Sequence, residues 1–382
     1  MTNRSSAPAQ PLARRRVALV TNNPPPYRVP VFNAVSDNPA WDVHFIFSAA
    51  REPDRAWDFD PIRFKAHYLR ERYVASSDTF IHFNIDVWKV LREIRPELVF
   101  LNGFNPTNIL AFLYARMHGA ALGMLIDGTI STELRLSRWH RLLRRWMYPH
   151  IDTFAGPSEA TLQLYEHYGA PRSAMFKSHL CANNAAYGHG TVPQHAKADL
   201  IFCARFIAEK SPSFALQVAD GVARRLGRAV SILMVGSGPL DDSLREEAKG
   251  YTRLHVEFPG FAKQAELPGL YARARVLLFP TVRDAWGVVA NEACASGVPV
   301  VVTPTAGVAG ELVVDGDSGY VRPLGDLQAW VDAATQLLSD QALYDRMSAR
   351  SRELVAEYTF DNAARGLADA IGHGLDRVKP HR

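Results

Sequence analysis

The chain has 382 residues, 47% hydrophobic and 21% charged, with a formal net charge of +4. That is enough for about two to three domains with buried cores, and it excludes collagen-like, coiled-coil and wholly disordered architectures. The charge is uneven: residues 1–180 carry +6 and residues 181–382 carry −2, so the basic half suits phosphates, an anionic surface or an acidic ligand.

Residues 1–16 are polar and rich in Pro, Ala and Arg, and are expected to be disordered. Arg14-Arg15-Arg16 precedes only four apolar residues, too few for a signal-peptide core, so Val17–Val20 reads as a first buried strand. Further short apolar runs at Val43–Phe47, Leu98–Leu101 and Ala121–Ile126 alternate with helical patterns at Phe83–Ile94 and Ile109–His118. Such alternation predicts a parallel α/β sheet. Residues 183–199, with Asn183-Asn184, Gly188, Gly190 and Pro193, read as an interdomain linker.

A second alternation follows. Strands are expected at Leu200–Cys203, Val230–Val235, Val276–Phe279 and Val298–Val302, and helices at Ser213–Leu226, Leu240–Lys249 and Gly287–Ala295. Helices at Leu327–Leu338, Gln341–Glu357 and Tyr358–Gly372 close the chain, the last capped by Thr359 or Asp361. Two α/β halves put the default ligand site in the cleft between them, beyond the carboxyl ends of the strands. No apolar stretch reaches the roughly 18 residues of a membrane-spanning helix. Cys181, Cys203 and Cys294 are widely spaced and odd in number, which suits a reducing cytosol rather than a disulfide or zinc framework. No nucleic-acid motif is present.

Three motifs carry chemistry. In residues 280–293, a strand end, a glycine turn and a helix start bring Asp284 and Glu292 near free N–H groups that attract phosphate or sugar oxygens. The alternative is a capping Asp284 and an ordinary helix Glu292. In residues 204–212, Arg205 offers a planar fork and Lys210 a point charge, together able to neutralise a diphosphate leaving group. The alternative is a solvated turn. Gly236-Ser237-Gly238 follows a strand and permits close backbone approach to a nucleotide, although Asp241 replaces the last glycine of the dinucleotide fingerprint.

In this order, the motifs resemble the donor-binding domain of glycosyltransferase family 4, whose members have the GT-B fold. The resemblance extends through Val256–Phe261, Leu267–Pro280, Glu292-Ala293, Gly297–Val300, Gly307, Gly310–Val313, Asp315-Gly316, Ser318-Gly319 and Tyr358-Thr359. Asp284 and Glu292 match the family's paired acids, with seven residues between them, and with Asp where Glu is usual. The resemblance implies two Rossmann-like domains facing across a cleft. Residues 17–182 would bind the acceptor, residues 200–357 an NDP-sugar, and a helix over 358–376 would return to the N-terminal domain. It implies that Arg205 and Lys210 hold the donor diphosphate and that Glu292 binds ribose. Asp284 and the backbone of Trp286, Gly287 and Val288 would hold sugar and phosphate, with Gly236 and Phe261 beside the nucleoside. The reaction would be retaining, with the NDP-sugar as co-substrate and no required metal. Positive charge beside a departing diphosphate agrees with that chemistry.

Residues 21–30, Thr-Asn-Asn-Pro-Pro-Pro-Tyr-Arg-Val-Pro, resemble a loop of some bacterial members. Tyr27 and Arg28 are candidates for phosphate or acceptor contact, and a rigid surface turn is the alternative. Asp127, past the strand ending at Ile126, is the candidate base for the acceptor hydroxyl, or else a turn or cap residue. In residues 135–147, Leu136, Trp139, Leu143 and Trp146 share one helical face, and Arg135, Arg138, Arg141 and Arg145 mostly another. This helix either lies on an anionic membrane or packs on its own domain. Asp58-Phe59-Asp60 and Asp315-Gly316-Asp317 match the metal motif of another glycosyltransferase fold but lie in a polar loop and a turn. His82, His118 and His140 have no metal-ligand spacing.

The expected activity is hexose transfer to a lipid-linked or polysaccharide acceptor in the cytoplasm, at the inner face of the membrane. A nucleotide-sugar epimerase or phosphorylase of the same fold, and a non-catalytic nucleotide-sugar-binding or scaffold protein, remain alternatives.

Overall fold

The computed structural model describes residues 14–50, 61–76, 79–133, 136–188 and 198–378. The expected tail up to residue 13, Asp58-Phe59-Asp60, Arg135 and residues 189–197 of the expected linker lie outside the described residues.

Two parallel sheets form the body. The first has the order Lys65–Tyr68, Trp41–Phe47, Arg15–Thr21, Leu98–Leu101, Ala121–Leu125, Thr153–Gly156, Met175–Lys177. The second has the order Leu254–Gly260, Val230–Val235, Ala198–Cys203, Ala274–Phe279, Val300–Val302, Gly319–Val321. Helices cover both faces, so the central strands are continuous apolar runs: Val17–Val20, Leu98–Leu101 and Leu277–Phe279 are all buried. Three strands of three or four residues, Lys65–Tyr68, Met175–Lys177 and Gly319–Val321, extend the sheets beyond the runs visible in the sequence. An antiparallel hairpin, Tyr73–Ser76 with Thr79–His82, stands apart from both.

Local chemistry sets several ends. Asn105 caps helix Pro106–His118, whose first residue is proline and whose stop is Gly119 at φ 73°. Helix Phe83–Ile94 of the sequence reading shortens to Val87–Ile94, and Thr359 rather than Asp361 caps the last helix, Phe360–Asp376.

The chain crosses between domains as a packed segment. Leu180, Ala182 and Tyr187 join the core of the second domain, and Cys181 joins the first. Asn184 donates to the carbonyls of Val355 (2.9 Å) and Tyr358 (3.0 Å). The first strand of the second sheet begins at Ala198, inside the expected linker. Helix Phe360–Asp376 packs on the first sheet: Ser178 Oγ donates to Ala363 O, Thr153 Oγ1 to Ala370 O (both 2.9 Å), and the Arg15 guanidinium to Leu375 O (3.0 Å).

Candidate active site

Each sheet has its first strand flanked by the second on one side and by a strand reached through the opposite winding on the other. Loops leaving such neighbours diverge and open a crevice at their carboxyl ends. In the second domain these are residues 204–210 and 280–287, and in the first, residues 22–28 and 102–105, with 126–129 alongside. Tyr27, Arg28, Asp127, Arg205, Lys210, Asp284, Trp286 and Gly287 lie on these loops, whereas Gly236 and Phe261 follow neighbouring strands and Val288 and Glu292 lie in the next helix.

Lys210 closes a short turn at Ala208–Lys210. Its ammonium lies 2.7 Å from Asp284 Oδ2 and also donates to Arg283 O (3.2 Å) and Thr281 Oγ1 (3.3 Å). Its side chain is only 13% exposed, which corrects the solvated-turn alternative. Asp284 Oδ1 accepts from Trp286 N–H (3.2 Å), so Asp284 closes the turn and Gly287, at φ 111°, stands at the helix cap. With that N–H committed, the cavity wall at the helix start is formed by Val288 and Val289, in the turn whose N–H groups have no helical acceptor. The Trp286 indole is buried and donates to Asn291 Oδ1 (2.6 Å). Beside the pair, Glu209 binds Arg283 at 2.7 Å, a link that the sequence reading missed.

A cavity of about 260 Å³ opens next to this turn, lined by Arg205, Gly236, Phe261, Val288 and Glu292 and, from the other domain, Tyr27. Phe261 is 56% exposed at its rim. Glu292 is buried; Oε2 accepts from the Tyr271 hydroxyl at 2.9 Å. Burial pushes its pKa up to about 7, and the hydrogen bond from Tyr271, with the Tyr187 hydroxyl nearby, acts against that rise. Tyr271 lies in the Leu267–Pro280 stretch of resemblance, although its link to Glu292 was not foreseen, and Tyr187 carried no local signal. Gly236 has φ +142°, and a Cβ there would stand 2.0 Å from Ala204 O. Glycine therefore lets the loops after Cys203 and Val235 touch, a different reason from approach to a nucleotide.

A second cavity, about 450 Å³, lies between the domains. Lys210, Asp284 and Arg205 line it from one side, and Asp127, Thr129 and Tyr27 from the other. Arg28 is turned inward, while still lining a small cavity beside Asp127. It is 4% exposed, donates to Ser178 O and Oγ (both 3.0 Å), and lies 3.3 Å from Asp127 Oδ1. It thereby ties the Asp127 carboxylate to Ser178. A third cavity, about 170 Å³, continues past Asp127 to Asn22 and Asn102. There Asn105 donates to Asn22 Oδ1 and Thr21 to Asn102 Oδ1, both at 3.0 Å.

The domains are tied beside the cleft. Glu311 accepts from Lys177 (2.7 Å) and from Glu159 N–H (2.6 Å). His179 lies against Trp286 and Tyr358 and donates through Nδ1 to Pro157 O (3.0 Å); burial pulls its pKa down to about 4.

Residues 191–354 match the family model "Glycosyl transferases group 1". Over that span the chain is similar to this family. Among curated relatives, a D-inositol 3-phosphate glycosyltransferase of Corynebacterium urealyticum is 31% identical over 186 residues, 47% of this chain and 43% of the relative. An N-acetyl-alpha-D-glucosaminyl L-malate synthase of Bacillus anthracis is 35% identical over 130 residues, 33% and 32% respectively. The chain thus spans less than half the length of either. HepE of Anabaena, solved in complex with UDP and glucose, superposes with a TM-score of 0.71 at 14% identity, covering 94% of this chain and 100% of that one. The architecture is GT-B.

Within the group 1 domain, Asp315 and Asp317 are committed to Arg322 (2.6 Å) and Arg350 (2.8 Å). Among the described residues, no group of three His, Cys, Asp or Glu side chains gathers as a metal site, and all three cysteines are free and buried. Outside this domain, helix Arg138–Met147 presents a different face from the one its spacing suggested. Met147 and Arg144 face inward, Arg144 binding Glu133 at 2.8 Å. Trp139, Leu142 and Trp146 are 66%, 57% and 48% exposed, whereas Leu143 and Met147 pack on the domain core, so the helix does rest on its own domain but leaves the two tryptophans exposed. Trp146 touches Phe112 with ring centres 5.0 Å apart. No described helix is long and apolar enough to cross a membrane.

Proposed function

We propose that the chain is a retaining glycosyltransferase that moves a hexose from a UDP-sugar to a lipid-linked or polysaccharide acceptor. The observation that carries this reading is that Lys210, Asp284 and Arg205 of one domain share a cavity with Asp127 of the other, next to the pocket of Glu292 and Phe261. UDP is the first donor to test because HepE was solved with UDP and glucose.

In this reading the nucleoside occupies the smaller cavity, its base against Phe261 beside Gly236 and its ribose on Glu292. Arg205, Lys210 and the helix start at Gly287 and Val288 receive the charge that grows on the departing diphosphate. Asp284, steadied by Lys210 and the Trp286 amide, orients the hexose. Asp127, steadied by Arg28, takes the acceptor hydroxyl proton, with Tyr27 between the two subsites. The protein's own cations serve the leaving group, so EDTA is expected to leave turnover unchanged.

The exposed Trp139, Leu142 and Trp146 together with Arg138, Arg141 and Arg145 support docking on an anionic membrane at the cytoplasmic face. Co-sedimentation with anionic but not zwitterionic vesicles at low salt is expected, and its absence refutes this part.

The test of the activity is a thermal-shift screen against UDP-, GDP-, ADP- and dTDP-sugars, followed by transfer of labelled hexose to a membrane lipid fraction and to polysaccharide. A donor at about 100 times its dissociation constant adds roughly 2.7 kcal/mol, a shift of a few degrees. Donor consumption without any acceptor would instead support an epimerase or phosphorylase. No shift and no transfer would support a non-catalytic protein.

A further inference from the structure

At the end of the first sheet away from the cleft lies a cavity of about 540 Å³. Its floor comes from the amino ends of three adjacent strands: Arg16, Pro96-Glu97 and Gly119-Ala120. Its walls come from the ends of helices Val87–Ile94 and Pro106–His118, which supply Arg92, Arg95, Tyr114 and His118.

The charges there are unbalanced. Glu97 is committed to Arg15 (2.8 Å) and to Arg16 N–H (3.2 Å). Among the described residues, Arg16, Arg92 and Arg95 form no ion pair with a carboxylate. All three act on one phenol: burial raises the Tyr114 pKa, and Arg95, Arg92 and Arg16 each pull it back. The Tyr114 hydroxyl has no hydrogen-bond partner among the described residues. Its ring stacks on His118 at 4.1 Å and meets Trp88 edge-on at 5.4 Å, giving the cavity an aromatic wall.

The backbone adds a second anomaly. Arg95 closes its helix at φ 50°, ψ 60°, in the left-handed region where glycine is the usual residue. One cation at a helix end is explained by the helix dipole. Three arginines without a carboxylate partner lining one cavity with Tyr114, one of them on a strained backbone, exceed that explanation, because like charges repel and strain gathers at ligand sites.

We propose that this cavity is a second ligand site, distinct from the transfer cleft, for a phosphate monoester or diester with a small polyol body. Arg92, Arg95 and Arg16 would fork the phosphate oxygens, Tyr114 would donate a hydrogen bond, and the aromatic wall would take the polyol face. The volume suits such a molecule better than a bare ion. A soluble phosphorylated polyol and a phospholipid headgroup share this chemistry.

The experiment uses the full chain saturated with UDP, so that the cleft is filled. Glycerol 3-phosphate is titrated calorimetrically, and vesicles of phosphatidylcholine with and without phosphatidylglycerol are tested by co-sedimentation. Arg95→Gly and Arg92→Gln are measured in parallel. The expected result is binding of at least one probe, weakened at least tenfold in both variants. Arg95→Gly also relieves the left-handed backbone, so its unfolding midpoint is expected to hold or rise while binding falls. Variant-sensitive binding of glycerol 3-phosphate identifies a soluble ligand; variant-sensitive binding of the phosphatidylglycerol vesicles alone identifies a headgroup. Failure of both probes to bind, or binding that neither substitution weakens, overturns the proposal. UDP binding and transfer in the cleft are read separately, so either proposal can fail alone.

Discussion

The ammonium of Lys210 lies 2.7 Å from the carboxylate of Asp284, joining two loops that leave neighbouring strands. Each residue holds the other where a sugar and its leaving diphosphate would meet. Lys210→Ala is expected to lower kcat by about a hundred- to a thousandfold, the scale of losing one group aimed at developing charge. Asp284→Asn keeps the turn through its remaining oxygen and is expected to lose less. Circular dichroism and a labelled-transfer assay check both, and an unchanged rate in Lys210→Ala would remove it from the site.

Glu292 gives a pH dependence whose sign can be worked out. Its folded-state pKa is raised from 4.5 to about 7, so below pH 4.5 it is protonated in both states. As pH rises from 4.5 to about 7, the unfolded chain has released this proton while the folded one still holds it, and the stability contributed by the group is lost across that window. The loss is on the order of 3 kcal/mol at most. Donor binding moves the other way, because the ionised carboxylate is the better acceptor for ribose hydroxyls. UDP affinity is expected to climb through about pH 7, and Glu292→Gln to flatten that profile in calorimetry.

Arg28 and Asp127 separate positioning from chemistry. Asp127→Asn is expected to lower transfer by about a hundredfold or more while leaving UDP affinity within twofold. Arg28→Met removes the donor to the Ser178 carbonyl, takes one of two partners from the Ser178 hydroxyl and releases Asp127. It is expected to cost about 2–4 kcal/mol of stability as well as activity, as removing one partner of a buried polar network does. Denaturant melts beside kinetics distinguish the two variants.

Gly236→Ala places a methyl group 2.0 Å from the Ala204 carbonyl on a backbone at φ +142°. The loops on either side of the nucleoside cavity must part. The expected result is a loss of stability of about 1–3 kcal/mol and weaker UDP binding. Gly269→Ala, which meets nothing within 4 Å, serves as the control and is expected to leave UDP binding unchanged.

Much of the donor side was legible because strand, turn and helix are local. Arg205, Lys210, Asp284 and Glu292 all lie where strands hand over to loops and helices, and their residue types state their chemistry. The N-terminal domain was less legible. The very short strands carry too few residues for a period-two signal. Arg28 looked like a surface residue because its partner, Ser178, lies 150 positions further along the chain. Trp139 and Trp146 looked like a packed stripe, yet the inward face is set by Met147 and Arg144, with Glu133 supplying the counter-charge.

By itself, the sequence determined two α/β alternations, the order of the donor motifs and the residue types able to meet a diphosphate and a ribose. Periodicity encodes which positions must leave water, and strand ends encode where loops can carry function. Tertiary structure alone decided which of these loops share a cavity. It brought Asp127 opposite Lys210 and Asp284, enclosed Glu292 beneath Tyr271 and Tyr187, and turned Arg28 inward. The physical reason is that burial, pairing and pKa depend on neighbours supplied by distant segments, and no local pattern specifies which buried faces meet.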